Sequence, residues 1–241
     1  MDVDGKVIVV TGASSGIGEA AAKLLASRGA QVAVAARSQD KLNELASSLK
    51  DAFAVTVDMT DEASIKNMIQ ETLNHYGHID VLVNNAGQSV IGPVAEINVE
   101  DFTTIMDLNV YGPLRALQAV LPSMRENGGG MILNISSRVS KMTIPGIGAY
   151  AATKCALNGL MLTARKELAE SNIIVSVMHP GATQTNFGKN AIRNTDTPFG
   201  GGSGQSDTPE MVAEKIAEAI ESEKAEQYMS DEIEQEYGTK N

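Results

Sequence analysis

Val7-Ile8-Val9-Val10-Thr11-Gly12-Ala13-Ser14-Ser15-Gly16-Ile17-Gly18 is the stretch that decides how this chain is read. Four β-branched apolar residues in a row predict a strand buried on both faces, as in a parallel sheet. A glycine-rich turn follows at once, and the Ala- and Leu-rich run Gly18–Arg28 predicts a helix that stops before Gly29. Strand, glycine turn and helix start form the setting in which backbone N–H groups and a helix N-terminus cradle a pyrophosphate. The spacing is Gly-x-x-x-Gly-x-Gly rather than Gly-x-Gly-x-x-Gly, so position more than pattern argues for a dinucleotide.

The same rhythm continues downstream. Apolar runs predict strands at Gln31–Ala35, Phe53–Val57, Val81–Asn84, Met131–Ile135 and Ile174–Met178. Helical patterns fall between and after them, at Gln39–Ser48, Asp61–His75, Asp101–Arg125, Tyr150–Ala169 and Pro209–Glu221. Alternating strand and helix predicts a single α/β domain over 1–241: a doubly wound, Rossmann-type parallel sheet with helices on both faces. Residues 182–208 break the rhythm with five glycines and many Asn, Ser and Thr. A loop that long inside a compact domain is usually functional or disordered. It follows the sixth predicted strand on the side where open α/β sheets bind ligands, and is read as a substrate lid.

Tyr150-Ala-Ala-Thr-Lys154 places a phenol and an ammonium one helical turn apart, on the same helix face. A free tyrosine titrates near pH ~10; using it near neutrality means a shift of roughly three units, about 4 kcal/mol. A neighbouring cation that favours the phenolate is expected to supply much of that. Alone, the spacing is also that of an ordinary surface helix.

Together these pieces resemble the short-chain dehydrogenase/reductase family, from about Lys6 to about Met229. The matching residues are Thr11 to Gly18, Asp58, Asn84-Asn85-Ala86-Gly87, Asn109, Ser137, Tyr150, Lys154 and Pro180-Gly181, in the family's order. Ser137 precedes Tyr150 by the family's usual thirteen residues. The resemblance implies the strand order 3-2-1-4-5-6-7 and hydride transfer between a nicotinamide cofactor and a carbonyl or alcohol. It implies Tyr150 as general acid or base, and Lys154 as activator of the tyrosine and holder of the nicotinamide ribose. It implies Ser137 as the donor to the substrate oxygen, and Asn109 as the holder of a water that links Lys154 to solvent. For the cofactor it implies Gly12, Ser14, Ser15, Gly16, Ile17, Gly18, Asp58, Met59, Asn85, Ala86, Gly87, Pro180, Gly181, and Thr183 or Thr185. The polar pair Asn84-Asn85 can equally hold neighbouring strands together. The expected substrate wall comprises Gln88, Arg138, Met142, Ile144, Ala182 and Phe187.

Charge bears on which cofactor is used. An NAD-specific fold places an acidic residue at the end of strand two, to accept from the ribose 2′-OH. Here that position is Ala36, and Arg37 follows, a planar donor suited to a 2′-phosphate. Ser38 or Ser14 can add hydroxyl contacts. The expectation is NADP(H), as a preference rather than an exclusion, because Ser15 stands where the family often has a second basic residue. The expected activity is therefore an NADP(H)-dependent carbonyl reductase or alcohol dehydrogenase. The alternatives are an NAD-dependent alcohol or hydroxysteroid-type dehydrogenase and a cofactor-binding regulator on the same fold. An epimerase or dehydratase of the superfamily would call for a longer chain.

Composition narrows the rest. The 241 residues carry 30 Asp and Glu against 19 Lys and Arg, a net charge of −11. Eleven of the acids and three of the lysines lie beyond residue 204, so the segment 225–241 is read as part of a solvated acidic face and tail. No basic face is offered to nucleic acid. No apolar run approaches twenty residues and no basic-then-apolar leader is apparent, so no membrane span and a cytoplasmic location are expected. The single Cys155 is read as a small buried filler. His75 and His78 suit a helix end, and His179 a packing or backbone contact; none has metal-ligand spacing, and no metal is expected. Helices 101–125 and 150–169 carry more apolar residues than a sheet-facing stripe requires, which predicts a homodimer or homotetramer through them.

Overall fold

The computed structural model describes residues 1–193, 195 and 206–238. In chain order the elements are β1 (Val7–Thr11), α1 (Gly16–Ser27), β2 (Gln31–Ala36), α2 (Gln39–Ser48), β3 (Ala52–Thr56), α3 (Glu62–Tyr76) and β4 (Val81–Asn84). Next come β5 (Val90–Ile91), α4 (Val99–Met106), α5 (Gly112–Glu126), β6 (Gly130–Ile135), α6 (Gly148–Glu167) and β7 (Ile173–His179). The described chain closes with β8 (Ile192–Arg193), α7 (Pro209–Ser222), β9 (Glu226–Tyr228) and α8 (Asp231–Tyr237). Seven strands form one sheet in the order β3-β2-β1-β4-β6-β7-β9, with every pair parallel. Its order is the one the resemblance implied.

Period-2 geometry divides the unbroken apolar runs between two cores. Ile8, Val10, Val32, Val34 and Ala36 join Ala21, Ala22 and Leu25 of α1, Leu42 and Leu45 of α2, and Val212, Ile216 and Ile220 of α7. Val9, Ala33 and Ala35 face the other way, onto Ile65 and Met68 of α3, Val120 and Met124 of α5, and Leu157 and Met161 of α6. Because all strands run one way, the segments after β1, β4, β6 and β7 reach the same edge of the sheet. That edge is where ligands bind in open α/β sheets.

Three expectations need correction. The helix expected at 101–125 is two, α4 and α5, joined by a π-helical turn over Asp107–Tyr111. The apolar period runs through the junction, so periodicity alone does not reveal the extra residue in the turn. The acidic segment 225–241 is not a solvated tail over its described part. It supplies β9, which pairs with β7 through Val177↔Glu226 and His179↔Tyr228, and then α8. Asp231, Glu232 and Glu234 occupy the first turn of α8, capped by the Ser230 hydroxyl, where acidic groups complement the helix dipole. Glu226 is partly buried and pairs with Lys141 Nζ and His179 Nε2, each at 2.9 Å. Finally, Cys155 is exposed, its Sγ 3.2 Å from the Ser140 carbonyl. It lies one residue past buried Lys154, and one residue turns a helical side chain about 100° off the buried face.

Candidate active site

The glycine turn opens at the end of β1. Gly12 and Gly16 hold φ of +68° and +60°, the left-handed region that favours glycine. A Cβ on Gly12 would lie 2.9 Å from Ala86 Cα, and one on Gly18 would collide with the Gly12 carbonyl. Those two glycines therefore serve the packing of turn, helix and the loop after β4. Thr11 ties the same parts together: its Oγ1 donates to Val83 O and accepts from the Asn85 and Ala86 amides at 2.9 and 3.2 Å. The Asn85 side chain donates back to Thr11 O at 2.9 Å, so its amide is spent on the turn. Asn84 donates to Asn134 Oδ1 across β4 and β6, the strand-holding role considered for this pair.

At α1 the N-cap Ser15 makes no side-chain cap bond, which leaves the helix N–H groups facing outward. In front of them lies a cleft of about 500 Å³ lined by Ser15, Gly16, Gln184, Thr185, Asn186, Lys189 and Pro209. A Cβ on Gly16 would come 3.1 Å from Thr185 Cγ2, so of the two candidate threonines Thr185 is the one over the turn. Thr183 instead bridges to Asp207, and its hydroxyl donates to Gly181 O. The residues fit a diphosphate: unspent amides, a helix N-terminus, a close glycine backbone, and Lys189, which no sequence motif singled out. Ala36 ends β2 and exposed Arg37 follows it; Arg37 helps, as the least of several causes, to hold Asp58 below its ordinary carboxylate range. The main cause is hydrogen bonding from the Thr60 amide and hydroxyl. Ser38 caps α2 by position only and keeps its hydroxyl unspent; Ser14 is partly buried. Met59 is packed into the core, its carbonyl close against Gly112 at the start of α5. Ile17 is partly buried and packs on the α1 side of the sheet, and Pro180 and Gly181 follow β7.

The candidate catalytic side chains converge beside this cleft. Ser137 follows β6, and its Oγ accepts from the Val139 amide at 3.3 Å. Tyr150 is partly buried. Desolvation raises its phenol above the ordinary tyrosine range, and the nearby Ser137 hydroxyl acts the other way, in the sense that favours the phenolate. Lys154 is 4% exposed and donates to Ile135 O at 2.8 Å, with Nζ 5.8 Å from the Tyr150 ring centroid. Burial pushes its ammonium down to about 8. Desolvation is the leading influence on both groups, raising the phenol and lowering the ammonium.

Asn109 sits in the π turn, fully buried. Its Oδ1 accepts from the Gln88 amide at 2.9 Å, and its Nδ2 donates to Gln88 O and to Thr153 Oγ1 at 2.8 and 3.0 Å. Its side chain is thus a brace between the loop after β4 and α6. Phe187 packs its ring 5.5 Å from that of Tyr150, and Ile144 is exposed. Gln88 reaches Asn190 O, and Met142 is partly buried. Arg138 stands apart from this group: its guanidinium lies beside Gly181 and Asp207. His179 is stacked on Tyr228 and paired with Glu226, a packing role. His75 stacks on Phe53, and His78 pairs with Asp80. The lid expected over 182–208 is described only at its two ends, where Asp207 N donates to Ala182 O and β8 pairs with β5; residues 194 and 196–205 lie outside the described residues. Among the described residues no helix is long and apolar enough to cross a membrane.

Comparison with known proteins assigns the class. The profile of the short chain dehydrogenase family matches residues 6–196. An uncharacterized oxidoreductase of Staphylococcus epidermidis is 37% identical over 89% of both chains. Among solved structures, the 3-ketoacyl-(acyl-carrier-protein) reductase from Brucella melitensis, complexed with NADH, is 30% identical, with a TM-score of 0.82 over 90% of this chain and 91% of its own. The alcohol dehydrogenase from the archaeon Thermococcus sibiricus, complexed with 5-hydroxy-NADP, is 32% identical, with a TM-score of 0.81 over 90% and 91%. The chain belongs to the short-chain dehydrogenase family: it is an oxidoreductase that uses a nicotinamide cofactor.

Proposed function

We propose that this protein is an NADP(H)-dependent reductase of a small carbonyl compound, with Tyr150 as proton donor. The observation that carries the reading is the placing of Lys154 one turn from Tyr150 on the same face of α6, its Nζ 5.8 Å from the tyrosine ring, with Ser137, just past β6, close enough to act on the phenol. When bound, the nicotinamide supplies or accepts the hydride. Ser137 orients the substrate oxygen, and Tyr150 holds the proton that the oxygen takes up. Lys154 holds the nicotinamide ribose hydroxyls. Asn109 keeps α6 and the loop after β4 in register, the part its side chain plays in the structure. Phe187 and Ile144 form an apolar rim over the tyrosine, with the segment 182–208 acting as the lid. A panel of ketones and quinones, followed by loss of NADPH absorbance, tests the reading; no turnover of any member would favour a cofactor-binding regulator.

The preference for NADP rests on Ala36 and Arg37. Arg37→Asp is expected to shift the NADPH-to-NADH ratio of kcat/KM at least tenfold toward NADH. It exchanges a phosphate donor for an acceptor that repels phosphate and suits a 2′-OH. An unchanged ratio would mean that another group reads the ribose.

Association of two copies through α5 and α6 rests on their outer faces, where Leu160 is 41% exposed and Tyr111, at the head of α5, is 46% exposed. An isologous pair needs only one such patch. Light scattering at micromolar concentration is expected to give at least twice the chain's 25.4 kDa. A mass near that of one chain would refute the pairing.

A further inference from the structure

We infer that Asn158 is a positioning residue, one that holds the loop carrying Ser137 in register with Tyr150; this rests on the proton-transfer roles proposed above. Tyr150, Lys154 and Asn158 follow one another at intervals of four on α6 and so share a face. Asn158 is 8% exposed and reaches the loop on both sides of Ser137. Its Oδ1 accepts from Ser136 Oγ at 2.6 Å, and its Nδ2 donates to Ser140 Oγ at 2.9 Å. Ser140 Oγ in turn donates to the Ser137 carbonyl at 2.7 Å.

The direction of each bond follows from the next. Ser140 has one proton and spends it on Ser137 O, so it must accept from position 158. Ser136 donates to the same side chain. Position 158 therefore needs one donor and one acceptor on a single short planar group, which an amide provides and a carboxylate or aliphatic side chain does not. The result is a clamp from the helix that bears the acid to the residues flanking the serine. With its backbone held in this way, Ser137 accepts from the Val139 amide and its hydroxyl proton is left over for the substrate oxygen proposed above.

The test compares Asn158→Ala, Ser140→Ala, the double variant and Asn158→Asp with wild type. Each single alanine variant is expected to lose about tenfold in kcat, since small misplacements of reacting groups carry penalties of that order. NADPH affinity, read by fluorescence titration, should stay within about twofold, because none of these groups lines the cleft at the glycine turn. The double variant should lose no more than the worse single one, as expected for links in one chain of bonds. Asn158→Asp keeps size and the bond from Ser136 but draws the Ser140 proton off the Ser137 carbonyl, so it should not restore kcat. Faster amide hydrogen exchange at 138–142 in the alanine variants is expected and is read without any turnover. Wild-type kcat and wild-type exchange in Ser140→Ala would overturn the clamp. A wild-type enzyme that reduces no carbonyl would overturn the proposed function instead and leave the exchange result to decide on the clamp.

Discussion

Tyr150→Phe is expected to lower carbonyl turnover by ~10²–10⁴-fold while NADPH affinity stays within about twofold, the range typical for loss of a positioned general acid. The two readouts separate because the hydroxyl and the ring do different things. The ring packs against Phe187 and lies near Lys154, contacts that phenylalanine retains. Only the oxygen meets Ser137, and only it can pass a proton to a carbonyl oxygen that Ser137 holds. A tyrosine, titrating ordinarily at pH ~10, holds its proton at neutral pH, so the substitution removes the donor itself rather than a group that tunes it. Retention of more than about a tenth of the wild-type rate would remove Tyr150 from the reaction.

Lys154→Met is expected to do two opposite things: to lower turnover at least a hundredfold, and to raise the Tm of the cofactor-free protein by about 2–6 °C at pH 7. The stability gain follows from the cost of burying an ammonium. The unfolded amine holds its proton to about 10.5, whereas the folded one releases it near 8. Below 8 both states are charged and the folded state bears the full cost, on the order of 3 kcal/mol. Methionine removes that cost and leaves the Ile135 carbonyl without its donor, a loss of about 1 kcal/mol, so a net gain of about 1–2 kcal/mol remains. The sign with pH is also set. Between 8 and 10.5 the unfolded state binds more protons at this site, so its contribution to wild-type stability rises with pH across that window. Tyr150, whose folded phenol is raised, acts the other way, but only once the unfolded tyrosine titrates near 10. Thermal melts at pH 7 and pH 9 should therefore show Lys154→Met stabilised more at pH 7 than at pH 9. A lower Tm than wild type at pH 7 would contradict the account of the buried ammonium.

Where residues carry out their role through a pattern, the sequence was legible. β1, β2 and β4 are apolar on both faces, so their composition alone marks parallel strands, and the glycines of the first turn mark a helix start. β9 could not be found this way. Glu226-Gln227-Tyr228 is three residues long with no apolar run, and it is a strand because β7 offers it a free edge and because Lys141 and His179 receive its carboxylate. The site divides along the same line. Ser137, Tyr150 and Lys154 stand at a spacing that survives reading in one dimension, and the fold brings them together. Asn109, Asn85 and Asn158 make their bonds to partners 21, 74 and 22 residues away, so their actual tasks emerge only in space. Thr11 is the same case, a hydroxyl whose partners come from the loop after β4. Lys189 faces the glycine turn from a segment with no repeating pattern. Sequence spacing reports the cation near Tyr150 but not the desolvation that opposes its effect.

The central claim is that hydride passes between the nicotinamide and a carbonyl carbon while Tyr150 provides the proton. It is tested most directly by mass spectrometry of the alcohol formed from a reduced carbonyl in the panel, with NADPH deuterated at C4 on either face. One deuterium on the new carbinol carbon from one of the two labelled cofactors, with the labelled alcohol formed ~10²–10⁴-fold more slowly by Tyr150→Phe, is the predicted result. NADPH consumption without deuterium in the product, or full labelling by Tyr150→Phe at the wild-type rate, would contradict it.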